Sequence, residues 1–324
     1  MIRNSKKTIV IVFFIIIFID LCIGYFLIKS RSFSHLAIWK ILETNRKDDF
    51  YWPPEAAPAY FRFEPNNEKL AVFRKEIYPL VKDKNSDFKI TIEAAKYVMD
   101  ICSEDSKPEI SLKWDSPEGI LKQIKEGAVA NCIYRSILFS EYLASLNLKS
   151  RLWALENKRF NGISHTVTEV YIEALKKWVF IDATSGFYAI EEGIPLSFLE
   201  LRQKILSNDM KRNFINYIDC KIEEERGLPF FYKKLINCVF LRARNDFAYK
   251  YNKKYSIFPD KIERGLGYLL TGDEIFVHYI DKYSKSLKKD IILAKTGFYF
   301  FIASLLFLCA FLAINLSKKD TRHK

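Results

Sequence analysis

The pattern of hydrophobic and polar residues divides the chain into two apolar ends and a mixed middle. Residues 8–28 and 296–316 are almost uninterrupted apolar runs of 21 residues each. At a rise of about 1.5 Å per residue, a helix of that length crosses roughly 30 Å of hydrocarbon. No small-x-small cleavage site follows residue 28, which argues against removal of the first run as a signal peptide. The sequence therefore predicts two transmembrane helices.

Basic residues at the two ends indicate a topology. Two spans put both termini on one side of the membrane, and the tails at residues 1–7 and 317–324 are short and basic. Such tails stay in the cytoplasm, whereas a long central region is translocated largely regardless of its charge. We expect the middle to face outward, into a periplasm or the extracellular space, although Lys29 and Arg31 flank the first span on the other side.

The first half of the middle has helical patterns with recognisable ends. Ser116 and Pro117 form an N-cap followed by a first-turn proline. Asn131 is a good N-cap that places Cys132 in the first turn of a helix apolar on most faces, which is typical of a buried helix. Further helices are predicted at residues 68–82 and 91–103, and an irregular lead-in at residues 29–67.

After this helix the period of the pattern changes. Residues 149–156, 165–173 and 177–183 are rich in β-branched residues or alternate in polarity, and they predict strands. Beyond them, Ser197 with Glu200 three residues later predicts a capping box. The predicted helices and the predicted strands occupy separate segments of the chain, so the predicted class is α+β. Helices are predicted at Ser197–Leu206, at Lys211–Cys220 and at Asp273–Ala294, the last running into the second span.

Composition narrows the classes of function. The net charge is +12, the two tails carry +3 each, and Lys and Glu are interspersed in the remainder. A nucleic-acid site needs a clustered basic stripe with stacking aromatics, and none stands out, so no nucleic-acid partner is expected. Six cysteines are too few for a disulfide framework in 324 residues, and their spacings match no zinc pattern.

Three residues form an ordered set with the chemistry of a thiol nucleophile. A helix N-terminus and a protonated histidine both lower the pKa of a cysteine, and Cys132 is predicted to lie at a helix N-terminus. His165 begins the second predicted strand, and Asp182 ends the third. If the hairpin turns near residues 173–174, His165 lies directly opposite Asp182, where the carboxylate can orient the imidazole. Taken singly, each residue is more often structural, and an inert buried cysteine is the common case.

This set resembles the transglutaminase-like family, whose members share the thiol mechanism of papain-type enzymes. The matching segments are GAVANC at 127–132, HTVTEVY at 165–171 and WVFIDAT at 178–184, and residues 186–202 are also similar to bacterial members. Ala-Asn precedes the cysteine in place of a tight Gly-x-Cys, Val167 replaces an aromatic residue, and Ala183 replaces a proline. The departures put the acyl-donor groove, and so the substrate, in doubt.

The resemblance covers roughly residues 85–205 and implies a cysteine on a buried helix packed against a sheet that carries His165 and Asp182. We divide the remainder into a cytoplasmic tail (1–7), a transmembrane helix (8–28), a lead-in segment (29–84), a helical C-terminal extension (206–295), a second transmembrane helix (296–316) and a basic cytoplasmic tail (317–324).

The implied activity is amide hydrolysis or acyl transfer through a thioester on Cys132, with no metal or organic cofactor. Trp114 and Gln123 are candidate second donors to the oxyanion, although core packing for Trp114 and a solvated helix face for Gln123 are the favoured explanations. The implied partners are a peptide or amide-bearing substrate, such as an envelope polymer or protein, and the lipid bilayer. Two alternatives stay open: a catalytically silent binding or scaffold module of the same fold, and a membrane transport or assembly component.

Overall fold

The structure is a computed structural model of the chain. Its residues belong to two compact units, one comprising residues 40–158 and 163–285, and the other residues 1–39, 159–162 and 286–324. It describes residues 17–19, 22, 40–63, 68–103, 112, 116–157, 164–209, 214–218, 228–229, 231–244, 275–285 and 287–320.

The first unit combines helices with one large sheet, which confirms the α+β class. Its described helices are α1 (Ala71–Val81), α2 (Asp87–Ser103), α3 (Pro117–Lys125), α4 (Cys132–Ser145), α5 (Phe198–Ser207) and the short α6 (Tyr232–Leu235). Its described strands are β1 (Lys40–Thr44), β2 (Ser150–Glu156), β3 (Ser164–Ile172), β4 (Lys177–Asp182), β5 (Phe187–Glu191), β6 (Ile194–Pro195), β7 (Ile215–Tyr217), β8 (Cys238–Arg242) and β9 (Ile275–Tyr279).

The strands form a sheet in the order β1-β9-β8-β2-β3-β4-β5-β6, with β7 also paired to β5. Only the β1–β9 pair is parallel among the described pairs of strands, and the others are antiparallel. The three strands predicted from the sequence, β2, β3 and β4, are therefore the centre of a larger sheet. Strands from distant parts of the chain extend it on both sides.

Hydrophobic side chains cover both faces of this sheet. Helices α1 to α4 pack one core against alternate residues of β2, β3 and β4, such as Val170 and Val179. The other core contains the intervening residues, such as Val167 and Phe180, together with α5, α6 and aromatic residues around Phe50. Because both faces are covered, β3 is buried from His165 onward with only Thr166 partly exposed, and it lacks the clean alternation of a half-exposed strand.

Local signals in the sequence set the ends of several helices as predicted. The Ser116 side chain caps α3, and Asn147 after α4 adopts the left-handed conformation with φ of 63°. At α5, Ser197 and Glu200 form the reciprocal hydrogen bonds of a capping box. The helices predicted at 68–82 and 91–103 are also present as α1 and α2.

Several predictions outside the central strands were wrong. The helix predicted at Lys211–Cys220 contains strand β7 instead, and the one predicted at Asp273–Ala294 starts with strand β9. The described residues within the segment 206–295 thus contribute three strands to the sheet, where the sequence predicted a helical extension. The lead-in predicted to be irregular contains β1. Short apolar runs fit a helix or a strand equally well, and here pairing with distant strands decided the outcome.

The second unit contains a long helix, α7 (Leu287–Asp320), which includes the predicted span at 296–316. Among the described residues, it is the one helix that is long and apolar enough to cross a membrane. It begins before the span and continues into it without a break, as the sequence predicted. The first predicted span, residues 8–28, lies outside the described residues except for residues 17–19 and 22, which are helical.

A buried ion pair lies within the sheet, between Arg151 on β2 and Glu169 on β3. The two residues are directly opposed, and Arg151 Nε donates to Glu169 Oε2 at 2.7 Å. Both are about 1% exposed. The same oxygen accepts from Trp153 Nε1, and the other carboxylate oxygen accepts from the Phe198 N–H at the start of α5.

The guanidinium of Arg151 also has partners other than the carboxylate. It donates to the Phe50 carbonyl at 2.7 Å, and it lies 4.2 Å from the ring centroid of Trp178 and 5.0 Å from that of Trp52. The pair therefore ties the segment before α1, the central strands and α5 together. Such a pair is strongly destabilising when one partner is removed, because the other charge is left buried and unpaired.

We predict that Glu169→Ala lowers the free energy of unfolding by about 3–5 kcal/mol. Urea unfolding followed by tryptophan fluorescence measures this, since Trp52, Trp153 and Trp178 surround Arg151. Lys84→Ala is the matched control, because it removes a partly exposed ion pair with Glu93 and costs about 1 kcal/mol or less. Equal losses in the two variants would contradict a structural role for the buried pair.

Candidate active site

Cys132 is the first residue of α4. Asn131 adopts an extended conformation, and its side-chain oxygen accepts a hydrogen bond from the Tyr134 N–H at 3.4 Å, as expected of an N-cap. The first turn of α4 is the positive end of the helix dipole, which stabilises negative charge on the thiol. Cys132 is partly exposed, and the sequence prediction of its place is confirmed.

His165 is the second residue of β3 and is 5% exposed. Its Nε2 lies 2.8 Å from Asp182 Oδ2 at the end of β4. This leaves Nδ1 as the ring nitrogen that can bond to the Cys132 thiol, and His165 lies close enough to the thiol to lower its pKa. The structure thus brings together all three residues singled out in the sequence.

The register between β3 and β4 differs from the prediction that placed His165 directly opposite Asp182. Ile172 pairs with Lys177 and Thr168 with Ile181, so Asp182 falls opposite Val167. The turn includes a 3-10 segment and the left-handed Lys176, which centre it one residue later than expected. A shift by two residues keeps the side chains on the same face, and a diagonal pair is within reach of an imidazole.

Asp182 is fully buried, and hydrogen bonds occupy both of its oxygens. Oδ1 accepts from the backbone N–H groups of Thr184 and Ser185 at 2.9 and 3.0 Å. Oδ2 accepts from His165 and also from the hydroxyl of Tyr232 at 2.6 Å. The carboxylate is therefore held in one orientation by four donors.

Charges and hydrogen bonds in this set shift the pKa of each member. Burial raises the pKa of the Cys132 thiol, but the hydrogen bond and charge of His165 and the Thr166 backbone together lower it below its ordinary value. Burial lowers the pKa of His165, but the Asp182 carboxylate and the Cys132 thiol raise it well above its usual range. Burial raises the pKa of Asp182, but His165, Tyr232 and Ser185 hold it below its usual range. These directions favour a thiolate beside an imidazolium.

The other described cysteines and histidine lack these features. Burial raises the pKa of Cys102 to about 11, and Cys238 is a buried free thiol. His278 is fully buried on β9 with its ring 4.8 Å from that of Phe240, and burial lowers its pKa to about 4. Cys220 and His35 lie outside the described residues. Within the part of the chain that the structure describes, no group of three or more His, Cys, Asp or Glu is arranged to hold a metal ion.

Of the two candidate oxyanion donors upstream of Cys132, the structure describes only Gln123. Trp114 lies outside the described residues. The Gln123 side chain donates from Nε2 to the Gly119 carbonyl of its own helix at 3.3 Å. The first expected oxyanion donor, the backbone N–H of Cys132, lies at the start of α4.

Tyr232 and Phe231 are site residues that sequence reasoning missed. The His165 ring is 5.6 Å from the Tyr232 ring and 5.1 Å from the Phe231 ring, both in edge contacts. The two residues lie about 50 positions beyond Asp182, at a short helix that carries no motif. The Phe-Phe-Tyr run at 230–232 was the only local hint, because adjacent aromatic residues need a buried environment.

Comparisons of the chain with protein-family models, with curated proteins and with solved structures found no match. The function is therefore inferred from the chemistry of the site.

We predict that alkylation of Cys132 by iodoacetamide has its pH midpoint below the roughly 8.5 of a free thiol. In His165→Ala, the positive charge and the hydrogen bond are lost while burial remains, so the midpoint moves above that of a free thiol. Site-resolved mass spectrometry measures the rate across pH, and Cys102 and Cys238 in the same chain are internal controls. Identical midpoints for Cys132 in the two proteins would contradict activation by His165.

Proposed function

We propose that this protein is a membrane-anchored, cysteine-dependent amide hydrolase or acyl transferase of the transglutaminase-like type, acting through a thioester on Cys132. The observation that carries the proposal is the placement of the helix-start thiol of Cys132 next to His165, whose Nε2 bonds to Asp182 Oδ2 at 2.8 Å. A nucleophile, a base and a group that orients the base are the parts that covalent acyl transfer requires.

The first half of the reaction forms the thioester. The thiolate of Cys132 attacks the carbonyl carbon of an amide, and the carbonyl electron pair moves onto oxygen. The Cys132 backbone N–H at the start of α4 donates to this oxyanion. His165, as imidazolium, then transfers its proton to the amide nitrogen, the carbon–nitrogen bond breaks, and the amine leaves.

The second half of the reaction releases the acyl group. His165, now neutral, takes a proton from water or from an amine as it attacks the thioester carbonyl. The carbon–sulfur bond then breaks and returns the thiolate. Water gives a carboxylic acid and a second amine gives a new amide, so both outcomes use the same residues. Asp182 remains ionised throughout and stabilises the imidazolium each time it forms.

The setting of this chemistry is a membrane surface. We place both termini in the cytoplasm, with spans at residues 8–28 and 296–316 and the catalytic unit outside, in the periplasm or extracellular space. The apolar composition and length of α7 support the second span. Amide or peptide groups of envelope polymers, surface proteins or secreted peptides are then the accessible substrates, and the bilayer is the second partner.

We predict that a small activated ester such as p-nitrophenyl acetate acetylates Cys132 of the full chain in detergent. Intact-mass and peptide mass spectrometry should show one acetyl group on Cys132 and none in Cys132→Ser. Asp182→Asn should slow acetylation by about 100-fold or more, because the imidazole loses the carboxylate that orients it. Cys102→Ser is the matched control and should react like the unaltered chain. Equal acetylation of Cys132→Ser would contradict the nucleophile assignment.

The topology gives a separate prediction that does not depend on catalysis. In a chain without native cysteines, Ser5→Cys and Thr321→Cys should react with an impermeant maleimide only after the cells are permeabilised. Lys75→Cys, at an exposed position of α1, should react in intact cells. Labelling of the two tails on opposite sides would contradict two spans, and a protected Lys75→Cys would contradict the outward orientation.

A further inference from the structure

The hydroxyl of Tyr232 occupies an unusual place in the site. It donates to Asp182 Oδ2 at 2.6 Å, and this is the same oxygen that accepts from His165 Nε2 at 2.8 Å. Tyr232 is fully buried, so water does not compete for either group. One oxygen of the Asp182 carboxylate therefore accepts hydrogen bonds both from His165, the base of the triad, and from the neutral phenol of Tyr232.

Anchoring of the Asp182 side chain does not require Tyr232. Oδ1 already accepts from the N–H groups of Thr184 and Ser185, which lie in the turn directly after β4. Those two hydrogen bonds fix the carboxyl plane from within the same turn. The Tyr232 hydroxyl instead donates to Oδ2, the oxygen that faces the imidazole, and so it changes the strength of the hydrogen bond between Asp182 and His165.

The surrounding aromatic rings hold the phenol in place. Its ring stacks on Phe231 with centroids 5.1 Å apart and makes edge contacts with Phe187 at 5.4 Å and His165 at 5.6 Å. A buried ring packed on several sides cannot turn its hydroxyl away without opening a cavity. The donor is therefore in position before any substrate arrives.

Sharing one acceptor oxygen has a defined electrostatic consequence. A hydrogen bond to a charged group stabilises the charge, and in a buried site this effect is larger than in water. The phenol withdraws part of the negative charge from Oδ2, so the carboxylate attracts the imidazolium proton less strongly. A general acid that holds its proton too tightly is inefficient, because the best pKa for proton transfer lies near the working pH.

We propose that Tyr232 is a positioning residue of the triad, which donates to Asp182 Oδ2 and so limits how tightly the carboxylate holds the imidazolium proton of His165. The inference rests on the proposed function and adds a fourth residue to the catalytic machinery. Tyr232 touches no reacting atom, and it acts through Asp182.

The test is an NMR titration of the full chain in detergent with ¹⁵N-labelled histidine. The chain has four histidines, and His165→Gln identifies the signal of His165. Tyr232→Phe removes the hydroxyl and keeps the ring. Tyr142→Phe is the matched control, because Tyr142 is also fully buried and its hydroxyl donates to a carboxylate, that of Glu76, at 2.7 Å.

We expect Tyr232→Phe to raise the titration midpoint of His165 on the order of one pH unit, since the carboxylate charge is no longer shared. Tyr142→Phe should leave this midpoint unchanged while losing comparable stability. A midpoint in Tyr232→Phe that is unchanged or lowered overturns the inference. If Tyr232→Phe does not fold, the full chain with 3-fluorotyrosine, a stronger donor, should show a lower midpoint, and an unshifted midpoint there overturns it.

The unaltered chain separates this inference from the proposed function. If its His165 titrates near the roughly 6.5 of a free imidazole, the triad itself is wrong. If its His165 is strongly shifted and Tyr232→Phe leaves the shift in place, the triad stands and only the role of Tyr232 fails.

Discussion

The carboxylate of Asp182 is a full charge on a fully buried side chain, and the site is organised around that constraint. An isolated buried carboxylate would take up a proton, because burial disfavours its charged form. Two N–H groups from its own turn, the Tyr232 hydroxyl and the imidazole of His165 prevent this. Once Asp182 is ionised, His165 favours its protonated form, and the proton it needs comes from Cys132. The protonation state of the Cys132 thiol thus depends on the hydrogen bonds of Asp182, which acts on the thiol through His165.

The contacts that link Asp182, His165 and Cys132 require a fixed register between β3 and its neighbouring strands. A slip by one residue would move His165 to the opposite face of the sheet, away from Asp182. Four residues further along β3, on the same face, Glu169 pairs with the directly opposed Arg151 of β2 and also accepts from Trp153 and Phe198. A slipped strand would break these bonds and leave two charges buried without partners. The Arg151–Glu169 pair and the His165–Asp182 pair thus both involve β3, and the first helps to fix the register on which the second depends.

The sequence predicts those parts of the fold that short segments determine. N-caps at Ser116, Asn131 and Ser197 mark helix starts through side-chain bonds made within three residues, and these predictions were confirmed. Strands β8 and β9 pair with β2 and β1, which lie in distant parts of the chain. A local sequence pattern does not indicate such pairing. The hairpin register depended on the left-handed Lys176, a conformation unusual for lysine, so the offset of two residues was not predictable. Tyr232 was missed for the same reason as β8, since its contact with Asp182 spans 50 residues.

The three members of the proposed triad differ in their contact with solvent. Cys132 is partly exposed, whereas His165 is 5% exposed and Asp182 is fully buried. The bond between His165 and Asp182 is therefore shielded from solvent, whereas Cys132 retains some contact with it. The rings of Phe231 and Tyr232 cover the imidazole on their side, so in the proposed reaction the second substrate approaches His165 from the side of the thiol. The choice between water and an amine in that reaction is then decided in the region around Cys132, because the buried pair acts identically on both. Differences between hydrolysis and transfer in such a site should follow from residues lining the approach to the sulfur, and substitutions at Asp182 or Tyr232 should change the rate of both reactions together.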